Sequence, residues 1–298
     1  VSPELVLWLD GRWVSEKEAK VSIFDDGFLR GDAVFDVART FGGKPFQLRE
    51  HVDRLLESCR YLMLDPGLGR AELIALGEEV AAKNTHLVSR YGDFWIDYHV
   101  TRGVRREGFE TRTSLMVYCD PIPFRERAPL YRDGIEVTVS GVRRTPPWAI
   151  SPRVKTHNYM NFVLAGLGAR SRPGAWPILL DEHGNLTEGA SSNIFLVKDG
   201  ELLTPLEQFV LPGISRRTVM MLAGKLGIPV REKNLDPRDL CLADEVFLTS
   251  TSLCLCPVGK IDGRAVPGAI PGAITARLLA AYNELAGADI RAQYLSFL

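Results

Sequence analysis

Trp176-Pro177-Ile178-Leu179-Leu180, Thr187-Glu188-Gly189-Ala190-Ser191-Ser192-Asn193 and Ile194-Phe195-Leu196-Val197 follow one another closely, with only Asp181 to Leu186 intervening. Apolar runs bounded by Gly, Ser and Asn predict strands, and Asp199-Gly200 predicts a hairpin turn after the last. Strand succeeds strand with few helices between. That pattern predicts a mostly antiparallel sheet or barrel with helices attached, rather than a doubly wound fold.

Upstream lies Arg153-Val154-Lys155-Thr156-His157-Asn158-Tyr159-Met160-Asn161. Arg153-Val154 is short and extended. Thr156 and Asn158 can cap a helix, and Tyr159 to Ala169 predicts one with Phe162, Val163 and Leu167 on its apolar face. A lysine at such a junction can be held half buried, and a neutral amine can attack an aldehyde to form a Schiff base. Most lysines are simply solvated, so this stretch alone decides nothing.

Before it, Leu5 to Leu9 and Arg12 to Val14 predict a hairpin turning at Asp10-Gly11. Val21 to Phe24 alternates like another strand. Asp25 to Asp32 (DDGFLRGD) predicts a loop able to line a pocket, and Ala33 to Thr40 resumes an apolar run. Glu50 to Met63 predicts a helix with Val52, Leu55, Leu56, Cys59 and Leu62 at core spacing. Glu72 to Lys83 predicts a second. Asp93 to Thr101 and Thr113 to Cys119 predict paired strands around a basic tip, Arg102 to Gly108. Pro121 and Pro123 break the chain. The expected division is a small N-terminal domain over 1–122, a linker over 123–134, and a large C-terminal domain over 135–298 carrying Lys155. Ser215 is the expected N-cap of a helix from Arg216 to Leu226.

The chain has 298 residues and a net charge of -1, so two domains are expected and a nucleic-acid surface is not. No apolar run is long enough for a bilayer, and Val1 to Glu4 lacks the basic start of a secretory signal. Five scattered cysteines argue against a disulfide framework and for the reducing cytoplasm. Cys254-Leu255-Cys256 lacks a second pair at zinc spacing, so no metal is expected.

Three features ask for one explanation. Lys155 is a candidate carbonyl-binding amine. Glu188 is a carboxylate in a Gly/Ser-rich loop. Gly213-Ile214-Ser215 at a helix start and Ser250-Thr251-Ser252 offer N–H and hydroxyl donors to an anion. Pyridoxal 5′-phosphate (PLP) needs such a set: an amine for its aldehyde, a carboxylate for its ring nitrogen, donors for its phosphate. Neither a P-loop nor a dinucleotide fingerprint is present.

FDDGFLRGDAVFD (from Phe24), HVDRL (from His51), VTRG (from Val100), VKTHNY (from Val154), LTEGASSNIF (from Leu186), LPGIS (from Leu211) and TSTSLCLCPV (from Thr249) occur in that order. Together they resemble the fold-type IV (class IV) PLP-dependent aminotransferases, the family of branched-chain, D-amino-acid and (R)-amine transaminases. The resemblance spans Val21 to about Gly263. It implies an α/β (α+β) fold of two domains with PLP in their cleft, the C-terminal one rich in sheet or barrel. It implies Lys155 as Schiff-base lysine and proton shuttle, Glu188 at the ring nitrogen, and Arg54 on the phosphate. Gly213, Ile214, Ser215 and Thr251 form the implied phosphate cup, Leu211 packs on the ring, and Tyr159 stands by the ring oxygen. It further implies a homodimer, with the DDGFLRGD loop reaching the partner's site.

Departures concern the substrate. Branched-chain enzymes carry Tyr-x-Arg where this chain has Trp95-Ile96-Asp97, and Gly-Thr-Ala where it has Ser250-Thr251-Ser252. The Arg-x-His pair of D-amino-acid enzymes aligns with Glu107 and Phe109. Asp97 and the segment Ala19 to Phe28 look more like the (R)-selective amine transaminases. The expected substrate wall comprises Arg30, Phe35, Trp95, Arg105, Arg106 and Ser252. Arg30, with Arg105 or Arg106, is expected to grip a substrate carboxylate; the competing reading pairs it with Asp32 or Asp36. The reading leans to a transaminase of D-amino acids or (R)-amines with a 2-oxo acid acceptor. An L-branched-chain transaminase is the runner-up. An aminodeoxychorismate lyase and a cofactor-free binding scaffold are the alternatives outside transamination.

Overall fold

A computed structural model describes residues 5–108 and 112–298. The chain divides into two compact units, one of Val1–Pro123 with Val154–Asn158, the other of Phe124–Arg153 with Tyr159–Leu298.

Unit 1 contains β1 (Val6–Leu9), β2 (Arg12–Ser15), α1 (Asp26–Arg30), β3 (Ala33–Phe41), β4 (Lys44–Phe46), α2 (Leu48–Leu62), α3 (Arg70–Lys83), α4 (His86–Tyr91), β5 (Phe94–Thr101) and β6 (Ser114–Pro121). Its strands form one antiparallel sheet in the order β2-β1-β6-β5-β3-β4. Side chains alternate between its faces. Val34 and Ala38 of β3, Ile96, Tyr98 and Val100 of β5, and Val117 of β6 are wholly buried in one core cluster. Val52, Leu55 and Cys59 of α2 and Leu73 and Val80 of α3 complete that core at helical spacing. Gly77 sits inside α3 despite its helix penalty because a Cβ there would lie 1.7 Å from the Tyr98 hydroxyl.

β4 pairs only with Arg39 to Phe41, so the first residues of β3 keep an open edge. The lysine segment fills it. Phe35 N–H donates to Lys155 O at 3.0 Å, and His157 N–H donates to Ala33 O at 3.0 Å. Lys155 N–H donates to Ser58 Oγ of α2 at 3.2 Å. The lysine backbone is thereby anchored to a strand and a helix of unit 1.

Unit 2 contains α5 (Phe124–Asp133), β7 (Ile135–Arg143), α6 (Met160–Gly168), β8 (Trp176–Leu180), β9 (Leu186–Gly189), β10 (Ser192–Lys198), β11 (Glu201–Thr204), α7 (Ile214–Lys225), β12 (Val230–Glu232), α8 (Pro237–Cys241), β13 (Glu245–Ser250), β14 (Cys254–Ile261), β15 (Arg264–Ala265), α9 (Ala273–Ala286) and α10 (Ile290–Leu295). Its sheet runs β12-β11-β10-β13-β14-β7-β8-β9, and β9 pairs back onto β10. That closure makes a barrel of β10, β13, β14, β7, β8 and β9 and removes their sheet edges. The pairs β14–β7, β7–β8 and β11–β12 are parallel and the others antiparallel. Cys254 and Cys256 lie buried in β14 as packing residues. Among the described residues, no helix is long and apolar enough to cross a membrane.

Several local expectations give way. Val21 to Phe24 pairs with no strand; Ile23 is 66% exposed, so its alternation has no face to bury. The DDGFLRGD segment carries the short helix α1. Asp25 Oδ1 caps it by accepting from Gly27 N–H at 2.7 Å, and Gly31 ends it in the left-handed region. Phe124 to Asp133, read as linker, is α5, whose Phe124, Ala128 and Tyr131 are buried. The N-cap of α6 is Tyr159, not Thr156 or Asn158, and Val163 and Leu167 of its apolar face are exposed. α7 is capped by Gly213, with Ser215 inside its first turn.

Candidate active site

In unit 1 the half-buried Lys155 projects its amine over the ring of Phe35, with Nζ 3.9 Å from the centroid. Behind it stands a buried ionic cluster. Arg54 Nε and Nη2 donate to the two oxygens of Asp36 at 2.7 and 2.8 Å, and His51 Nδ1 lies 2.7 Å from Asp36 Oδ1. Burial alone would raise the Asp36 pKa, but Arg54 and His51 reverse it and hold the carboxyl well below its usual range. Burial, chiefly, keeps His51 neutral. The sequence singles out Arg54 but not its partners Asp36 and His51. His51 stands one helical turn before Arg54, and Asp36 interrupts the apolar face of β3; those were the available signals.

In unit 2 Glu188 is buried on β9, not on a loop. Its Oε1 accepts from Arg144 Nε at 2.8 Å, and its Oε2 accepts from Leu211 N–H at 3.0 Å and Asn193 Nδ2 at 3.4 Å. Asn193 also donates to Leu211 O at 3.0 Å, and a Cβ on Gly213 would come within 2.1 Å of Asn193 Oδ1. Gly213 therefore permits a close backbone approach that any larger residue would prevent. The first turn of α7 follows, and among the described residues no side chain caps it. Ser215 Oγ donates to Ser250 O at 3.0 Å, tying that turn to the start of Ser250-Thr251-Ser252. Ser192 Oγ and Thr249 Oγ1 are buried hydroxyls without a hydrogen-bond partner among the described residues. Glu188, Leu211, Gly213, Ile214 and Ser215 thus form one connected array with Thr251 beside it. Arg144 and Asn193 went unread. Asn193 lay within a recognised motif, and nothing local marks Arg144 in its proline-rich loop.

The expected substrate wall is less coherent. Arg30 is largely exposed and bonds to Asp26, one turn earlier on α1. Asp32 instead takes both Nε and Nη2 of Arg102, at 2.9 and 3.0 Å, and Asp36 takes Arg54. Arg105 is exposed, and Arg106 stacks over Phe24 at 4.5 Å. Phe109 lies outside the described residues. Ser252 is buried and accepts from Arg127. Phe35 and Trp95 stand half buried on one face of the unit 1 sheet. Tyr159 packs against Phe162, with centroids 5.1 Å apart.

Residues 33–261 match the family described as amino-transferase class IV. The chain is 40% identical over 282 residues to a putative branched-chain-amino-acid aminotransferase of Methanocaldococcus jannaschii, covering 94% of this chain and 96% of that one. It superposes on the crystal structure of the Escherichia coli branched-chain amino acid aminotransferase with a TM-score of 0.86, at 31% identity and 95% coverage of each chain. The branched-chain aminotransferase of the thermophilic archaeon Thermoproteus uzoniensis, solved with norvaline, gives a TM-score of 0.80 at 29% identity, covering 96% of each chain.

Proposed function

This chain belongs to the class IV aminotransferases, which are PLP-dependent, and on that premise we propose that it exchanges amino groups between L-branched-chain amino acids and a 2-oxo acid. The observation that carries this reading is the end-to-end likeness to enzymes named for that substrate class. The lean towards D-amino acids or (R)-amines rested on Arg30 and on departures around Asp97. Arg30 engaged with Asp26 at an exposed helix end gives that lean no support, and the runner-up takes its place.

The residues present fit the cofactor. The uncapped start of α7 at Ile214 and Ser215 and the hydroxyl of Thr251 would suit a phosphate. By the family resemblance Arg54, held by Asp36 in unit 1, would add a positive charge. Leu211 and Tyr159 flank the ring in this assignment. When bound, PLP supplies a carbonyl for the amino group and a ring that takes up the electron pair released at Cα. Lys155 Nζ would hold the carbonyl end and would carry the proton to and from the substrate's Cα. Its anchored backbone keeps the amine in place. Glu188, clamped by Arg144, would pair with the ring nitrogen and favour its protonated form.

The assembly we propose is a homodimer. Phe28 at 70% and Met160 at 68% exposure are large apolar side chains that a second copy would cover. Cys59, Cys119, Cys254 and Cys256 are buried and outside any disulfide among the described residues, which suits the cytoplasm.

The test is the visible spectrum of the PLP-loaded protein in half-reactions with L-leucine, D-alanine or (R)-1-phenylethylamine. Bleaching of the cofactor band by L-leucine is expected. Bleaching by the D- or (R)-donor alone would overturn the substrate class, and no bleaching by any would favour the lyase. Lys155→Ala should lower turnover about 10³-fold or more.

A further inference from the structure

The unit 1 sheet has a second face, opposite its core. The pleat places Phe35 and Val37 of β3, Trp95, Asp97 and His99 of β5, and Met116, Tyr118 and Asp120 of β6 on it. Phe35, His99 and Tyr118 stack in a row, with centroids 5.5 and 5.4 Å apart. Lys155 sits on the outer ring of that row. His157, from the lysine segment, shares a hydrogen bond of 2.9 Å between its Nε2 and His99 Nδ1, and His99 Nε2 meets the Tyr118 hydroxyl at 3.0 Å. Both nitrogens of His99 are therefore engaged.

Asp97 is different. It lies between Val37 and Tyr118, two residues along β5 from His99. Its Oδ2 is buried and has no hydrogen-bond partner among the described residues. Rotation about χ2 exchanges its two oxygens, so the group can turn either one to the open side. A buried polar atom left unpaired is costly, and a site that retains one next to its reactive amine has a use for it.

We propose that Asp97, as a neutral carboxylic acid on the Lys155 face of this sheet, donates a hydrogen bond to the carboxylate of the amino-acid and 2-oxo-acid substrates. The inference rests on the transaminase reading above. The groups around it favour the acid form. From β6 Asp120 adds negative charge, from β3 so does Asp36, and Tyr118 and Cys119 are neutral; Lys155 is the opposing cation, and His99 and His157 are held neutral by burial. Arg39, farther along β3, stacks on the Phe41 ring at 4.0 Å and donates from Nε to Thr40 O. Burial is the largest influence, and the Asp97 pKa is pushed up to about 8. Below that pH the group is an O–H donor and makes a charge-assisted bond to an anion. Above it the group is an anion and repels one. The exposed Arg30 is relieved of the task.

The experiment is a calorimetric titration of the PLP holoenzyme with 4-methylpentanoate, an unreactive carboxylate, from pH 6 to 10. Half-reactions with L-leucine run alongside. In the wild type the Kd should be flat to about pH 8 and then rise about tenfold per pH unit. Asp97→Asn retains an N–H donor and cannot ionise, so its Kd should stay flat throughout. Asp97→Leu should weaken binding roughly 10- to 100-fold at pH 7. The same rise in Kd for wild type and Asp97→Asn would overturn the proposal, as would unaltered or absent binding across the series. Carboxylate binding that follows Asp97 without any bleaching by an amino donor would leave this inference standing and sink the transaminase assignment instead.

Discussion

Asp36 and Asp97 occupy neighbouring strands of one sheet and meet opposite fates. Asp36 faces the helices, where Arg54 and His51 surround it, and it stays ionised far below the usual carboxylate range. Asp97 faces the other way, between Val37 and Tyr118 and near Asp120, and it keeps its proton to about pH 8. Burial penalises both charges. The outcome turns on whether a cation shares the burial. One face of the sheet thus holds a buried ion cluster, and the other holds a titratable group on the side of Lys155.

The largest effect should come from Asp36→Ala. It strands Arg54 in the interior and should cost about 3–5 kcal/mol. Guanidinium unfolding at pH 7 measures it, and wild-type stability in this variant would dissolve the contrast. Asp97→Asn should act in the opposite direction. The folded pKa of Asp97 lies above its unfolded value of 3.8, so the stability it contributes is intact below about pH 4 and is lost as pH rises to about 8. Asparagine has no proton to lose. The variant should therefore match the wild type near pH 4 and gain on it steadily up to about pH 8. A gap that did not widen with pH would mean that Asp97 ionises normally. For Asp36 the window is reversed: its stabilisation is present above about pH 4 and is lost as pH falls through its depressed folded value. The smallest effect belongs to Tyr118→Phe, which leaves His99 Nε2 unpaired at a cost of about 1 kcal/mol. A midpoint shift in thermal unfolding would register it, whereas no shift would show that the ring stack alone holds His99.

Much of the strand order was legible because alternation reports a buried face. β5 and β6, the β1–β2 hairpin and the α2 stripe all declare themselves that way. Val21 to Phe24 shows the limit, since the same alternation arises where no sheet receives it. The fate of an acidic residue was not legible at all. Asp36 and Asp97 each interrupt an apolar strand, and nothing in either neighbourhood of sequence says which one has an arginine beside it. Glu188 stands out through its motif, but its clamp, Arg144, comes from a proline-rich loop that follows no periodicity. Ser215 is a better N-cap by residue type than Gly213. The cap nevertheless falls on Gly213, whose backbone approaches Asn193 too closely to admit a side chain.

The lysine segment has a consequence for how the molecule is made. Val154–Asn158 is a five-residue excursion that returns to a sheet whose other strands end at Pro121. A ribosome releasing the chain from its N-terminus delivers the bare edge of Ala33 to Phe35 long before the piece that covers it. During that interval the edge is a template for any extended segment, including the same segment of another nascent chain. A fragment cut after Pro123 would inherit this exposure permanently. Supplying residues 150–160 as a separate peptide should restore its order, making the lysine segment a removable part.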